Sequence, residues 1–146
     1  MQIEEHLPKF SLPPTAERLT AAGAVVAAAG ASAYVAYFEP TSQGFFPVCP
    51  LYTLTGFACP GCGLTRGFHA LFHGDILTAL DFNALIPVWT VIFAYVWVSL
   101  LLVAIRGKGL PMWPTYPRFL WAFLILLVIF GVVRNIPVYP FSLLFP

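Results

Sequence analysis

The sequence predicts an all-α integral membrane protein. It has three transmembrane helices, with one or two short amphipathic interfacial helices between the first and second. Three observations predict this class. Of 146 residues, 60% are hydrophobic and only 9% are charged, against roughly 25% charged in an ordinary soluble domain. A water-soluble globule of this size could not cover its surface with so few charges. Apolar stretches near the roughly 20 residues that cross a bilayer recur along the chain. Finally, 14 Pro and 11 Gly punctuate it, which excludes one continuous coiled coil. A net charge of +1 leaves no basic stripe for nucleic acid, so none is expected as a partner. The whole chain, 1–146, reads as one membrane domain.

Residues 1–18 form a tail that ends at Arg18, and residues 19–38 form an uncharged first span rich in Ala, Val and Gly. This span has a rival reading. Arg18, an apolar run and Ala31-Ser32-Ala33 imitate a signal peptide with its cleavage site, although Glu4, Glu5 and Glu17 do not suit one. Gly23, Ala27, Gly30 and Ala31 place small residues at helical spacing, a face that lets another helix approach closely. Residues 84–105 form the second span, rich in Val, Leu, Phe and Trp. The third has an apolar core at 119–133 bracketed by Arg118 and Arg134. That core is about 22 Å long, so the arginines must snorkel or the helix must run to Ile136, where Pro137 stops it. Residues 137–146 form an apolar tail, expected on the membrane surface or against a partner.

Orientation follows the positive-inside rule. Lys9, Arg18, Arg106, Lys108 and Arg118 share one side if three spans are present, and Arg66 and Arg134 lie on the other. The tail 1–18 and the loop 106–118 are therefore expected in the cytoplasm, with 39–83 exoplasmic.

The chemistry lies in 39–83. All three cysteines are here, Cys49, Cys59 and Cys62, followed by His69 and His73. Pro60 suits the first turn of a helix. From there to His73, Leu64, Phe68, Leu71 and Phe72 form an apolar stripe, and Cys62, Arg66, His69 and His73 a polar one. Gly74 reads as a helix C-cap and Asp75 as the N-cap of a short helix at 76–80. Asp81 or Asn83 is expected to cap the second span. Three uses of the cysteines stay open. Outside the cytoplasm they can bridge, Cys49 to Cys59 or Cys62, or Cys59 to Cys62 as a redox pair whose helix N-terminal position would lower a thiolate pKa. With His69 or His73 they can complete a Cys3His site for zinc or iron. Residue 63 is Gly, so covalent haem attachment is not expected, but His69 or His73 could ligate haem or chlorophyll axially. Arg66, Asp75, Asp81, Asn83, Arg134 and Asn135 are expected to meet in one polar network, with a carboxylate or backbone carbonyls satisfying the guanidinium groups.

Cys59-Pro60-Gly61-Cys62-Gly63-Leu64-Thr65-Arg66 resembles the CPxCGxTR signature of a family of small bacterial membrane proteins of unknown function. The resemblance continues through Phe68-His69-Ala70-Leu71, His73-Gly74-Asp75, Ala79 and Asn83, with Cys49-Pro50 upstream and Arg134-Asn135-Ile136-Pro137 near the end. It implies a bacterial inner-membrane location and an architecture, and it carries over no catalytic residue. No nucleophile elbow, zincin or phosphate-loop motif is present, and a non-enzymatic role is expected. The first expectation is an accessory structural subunit of a larger membrane complex, with a respiratory or photosynthetic assembly as one host. The alternatives are a metal-binding protein using Cys49, Cys59, Cys62 and a histidine, and a thiol–disulfide redox protein using Cys59 and Cys62.

Overall fold

The computed structural model describes residues 13–40, 46, 49–111, 117–139 and 141–145. Lys9, Glu4, Glu5 and the chain's third histidine, His6, lie outside the described residues. The described chain is all-helical and contains no strand. In order it forms α1 (Pro14–Tyr37), α2 (Pro50–Thr55), α3 (Leu64–Phe72), α4 (Ile76–Phe82), α5 (Ile86–Arg106), α6 (Pro117–Val133) and a final 3-10 turn (Phe141–Leu144).

Two helices, α1 and α5, are long and apolar enough to cross a membrane. Almost none of either apolar window is buried within the protein, unlike the core helix of a soluble globule. Proline starts both, at Pro14 and Pro87, where a missing N–H costs nothing. α1 therefore begins before the apolar run proper. α6 is equally apolar but has 17 residues, or about 25 Å.

α1 and α5 pack against each other along their length and run antiparallel. At one end Arg18 donates to the carbonyl of Ile105 at 2.6 Å. At the other, α3 crosses between the C-terminal turn of α1 and the start of α5. Leu64, Phe68 and Leu71 of α3 cover the small core formed by Ala70, Ala79 and Ile86. Gly67 permits this crossing, since a Cβ there would stand 2.7 Å from Cδ1 of Ile86 and 3.1 Å from the carbonyl of Ala79. α6 brings its C-terminal end to this same side, where Gly131 lies against Pro60.

The small-residue face of α1 has no partner within the described chain. A Cβ added at Gly23 or Gly30 would meet nothing within 4 Å. A groove of about 990 Å³ separates α5 from α6, lined by Val91, Tyr95, Phe119 and Phe123 among others.

The interspan segment differs from expectation at three points. Pro60 does not begin a helix: residues 59–63 form a turn in which Cys62 N–H donates to Cys59 O (3.0 Å) and Leu64 N–H to Gly61 O (3.1 Å). Gly63 takes a positive φ of 79° and N-caps α3, a conformation open to glycine and costly for other residues. An unforeseen helix, α2, begins at Pro50 directly after Cys49. Neither Asp81 nor Asn83 is the N-cap of α5, which is Leu85. Asn83 instead ends α4 and accepts the Leu85 N–H at 2.9 Å. Gly74 follows α3 with φ +82°, and Asp75 N-caps α4 by accepting from Thr78 N–H at 3.1 Å.

Candidate functional site

The turn at 59–63 and the start of α2 place the cysteines. The tight turn at 59–63 brings Cys62 back over Cys59, whose N–H donates to Cys62 Sγ at 3.2 Å. Cys49, as N-cap of α2, approaches from the other side. Cys59 Sγ lies 3.3 Å from both Cys49 Sγ and Cys62 Sγ. All three sulfurs fall within 4.8 Å of one another, and all three are free thiols. Tetrahedral thiolates around zinc, with Zn–S near 2.3 Å, sit about 3.8 Å apart. The three sulfurs are thus close enough to hold one metal ion.

The thiols differ in character. The Tyr52 N–H in the first turn of α2, with help from the Cys59 thiol, lowers the Cys49 pKa from 9.0 to about 7. Burial, reinforced by the neighbouring thiols of Cys59 and Cys49, pushes Cys62 up to about 12. The sequence placed the helix N-terminus behind Cys59 and Cys62. It lies behind Cys49, because the Cys59–Gly63 stretch is a turn.

The cluster is held by long-range polar ties. Arg134, fully buried at the end of α6, donates from Nη1 to the carbonyls of Cys59 (3.0 Å) and Cys62 (3.1 Å). Its Nε donates to the Leu144 carbonyl at 3.2 Å, and its guanidinium lies 5.1 Å from the Phe130 ring centroid. Its Nη2 has no hydrogen-bond partner among the described residues. Arg134 therefore does not snorkel. Asn83 donates to the carbonyls of Pro60 (2.9 Å) and Cys62 (3.0 Å). Asn135 clamps Ala58 with both ends of its amide at 2.8 Å, accepting from its N–H and donating to its carbonyl. Among the described residues, backbone carbonyls rather than carboxylates accept from these side chains.

The other expected members stand apart. Arg66 rests over the Phe82 ring at 5.3 Å, Asp75 caps α4, and Asp81 is in the last turn of α4. Neither histidine belongs to the sulfur cluster. His69 instead binds the carbonyl of Val35 in α1. An apolar pocket of about 690 Å³ opens beside Cys59 and Pro60 against α6. Sequence reasoning missed α2, although Cys49-Pro50 carried its signal: a capping position followed by proline at N1.

No curated protein and no solved structure matches the chain. A family model described as a protein of unknown function, DUF2752, matches residues 49–97. The match begins at Cys49 and ends within α5, so it contains every cysteine together with His69 and His73.

Proposed function

We propose that this chain is an integral membrane protein built around a tris-thiolate metal centre, with zinc or iron bound by Cys49, Cys59 and Cys62. The observation that carries this reading is the sulfur triad beside a fully buried arginine. A buried guanidinium is costly without a counter-charge. Among the described residues, Arg134 forms its polar contacts with carbonyls. A divalent ion with three thiolates has a net charge of −1, equal and opposite to Arg134. A disulfide plus one neutral thiol supplies no such charge. Three protein donors leave a fourth position for water or an external ligand.

The test is metal analysis of the full chain purified under reducing conditions in mild detergent. About one zinc or iron per chain is expected, lost on substitution of Cys59 by Ser. Metal-free protein with all three thiols open to alkylation, or with two of them bridged, overturns the reading.

The centre sits in a chain we take to be an accessory subunit of a larger membrane assembly, on the exoplasmic side of a bacterial inner membrane. Two observations favour this: the small-residue face of α1, which has no partner among the described residues, and the groove between α5 and α6. In this reading α6 is the third span. Native mass measurement in mild detergent is expected to find the chain with other membrane subunits, and a lone monomer overturns the subunit role.

A further inference from the structure

Outside the sulfur centre, His69 and His73 have an arrangement of their own. They are one helical turn apart, at the end of α3 and on its C-cap, so their side chains leave the same face. The ring centroids are 4.5 Å apart and the planes are inclined by 39°. Each ring is fixed by a backbone carbonyl. Nδ1 of His69 lies 2.7 Å from Val35 O, and Nδ1 of His73 lies 2.9 Å from His69 O. A carbonyl oxygen only accepts, so Nδ1 carries the proton in both neutral rings. The lone pair in each ring is then on Nε2. Metal-bound histidines nearly always donate their second ring nitrogen in this way, and helical zinc sites use the same i, i+4 spacing. His73 is exposed and His69 half-buried, so the pair is reachable from outside the protein.

We propose that His69 and His73 form a second metal site, a bis-imidazole pair that takes a hydrated divalent transition ion of the zinc, nickel or copper type. Two neutral imidazoles suit these ions. Leaving one helix face one turn apart, the rings supply adjacent coordination positions and cannot bracket the two faces of a tetrapyrrole. Water completes the shell. His69 also ties α3 to the last turn of α1 through Val35, so an ion held here stiffens the contact between those helices. The site stands on the imidazoles alone and does not depend on a metal at the cysteines.

The test uses the full chain in detergent, labelled with 15N at histidine and with its thiols first given one equivalent of cadmium, which thiolates take ahead of imidazoles. Before zinc is added, the spectra are expected to show the Nδ1–H tautomer for His69 and His73. Added zinc is expected to shift Nε2 of both together, leaving His6 unmoved. His73→Ala is expected to weaken zinc binding at the remaining imidazole by about tenfold or more, the loss seen when even the outer partner of a metal-bound histidine is disturbed. This variant breaks no tie between helices, so the fold remains. His69→Ala also frees Val35 and is therefore read together with helicity. An Nε2–H tautomer in either ring, imidazole signals unmoved by zinc, or an affinity unchanged in His73→Ala overturns the proposal. A chain whose thiols bind no metal but whose imidazoles shift keeps this site and loses the sulfur centre, and the reverse result does the opposite.

Discussion

Arg134 shows how one residue can hold a site without belonging to its chemistry. Its side chain gathers carbonyls from Cys59, Cys62 and Leu144, so removing it leaves buried acceptors bare. Arg134→Met is expected to destabilise the protein by roughly 2–4 kcal/mol, seen as a lower melting temperature in detergent. Arg134→Lys keeps the charge but not the planar fork, and is expected to restore only part of the loss. The thiols carry a second prediction. In metal-free, reduced protein at pH 8, Cys49 is above its pKa of about 7 and mostly thiolate, while Cys62, near 12, stays protonated. Brief alkylation followed by peptide mass mapping is expected to label Cys49 first and Cys62 last. Much of this scale was legible in the sequence. The scarcity of charge singled out Arg66, Asp75, Asp81 and Arg134 beside the cysteines, of which Arg134 alone reaches the cluster among the described residues, and carbonyl partners for the arginines were among the expectations. Which carbonyls they are was not, because two of the three come from 72 and 75 residues earlier in the chain, and no local pattern encodes such a contact.

At the scale of elements, local signals were read well where one residue decides the geometry, and badly where two signals competed. Asp75 and Gly74 mark the α3–α4 junction as their chemistry requires. Pro60 was misleading because Pro at N1 and Pro in a tight turn look alike, and the positive φ of Gly63 decided for the turn. The junction gives a pH prediction. The Thr78 side chain and N–H hold the Asp75 carboxyl below its ordinary value of 3.8. A depressed carboxylate contributes stability that is complete above 3.8 and is lost as pH falls through the lower folded-state value. Protection of the Thr78 amide, measured as its exchange relative to the intrinsic rate at each pH, is therefore expected to fall on acidification below about pH 4, and in Asp75→Ala to be low already at neutral pH. Packing at the crossing of α3 is just as specific. Gly67→Val drives a branched side chain into Ile86, and is expected to cost about 1–3 kcal/mol through overpacking. Chemical denaturation in detergent reads that loss against Gly67→Ala, which is expected to be milder.

On the scale of the whole molecule, the hydropathy pattern located α1 and α5, the two helices long and apolar enough to cross a membrane, and the shorter apolar α6, while the charges suggested an orientation. The structure adds which groups share an end. Arg18 reaches Ile105 beside Arg106 and Lys108, and Phe119 of α6 lines the groove alongside Ser99 and Leu100 toward that end. The cysteines, His69, Asn83 and Arg134 lie at the opposite end. One end therefore carries most of the cations and the other carries the chemistry, the division the positive-inside rule needs. Pairing of α1 with α5, rather than with α6, was not legible, since all three faces are apolar and lipid competes equally for each. The orientation is testable with single introduced cysteines in intact cells. Thr55→Cys, at the exposed end of α2, is expected to react with a membrane-impermeant maleimide added outside. Lys108→Cys is expected to react only after the membrane is opened. Native Cys49, Cys59 and Cys62 serve as the background, read in the unsubstituted chain. If Lys108→Cys is labelled from outside and Thr55→Cys is not, the topology is inverted. The three cysteines then face the cytoplasm, where reducing conditions keep thiols free for an ion without competition from disulfides. The same labelling therefore decides both the sense of the helices and the redox environment in which the sulfur triad must work.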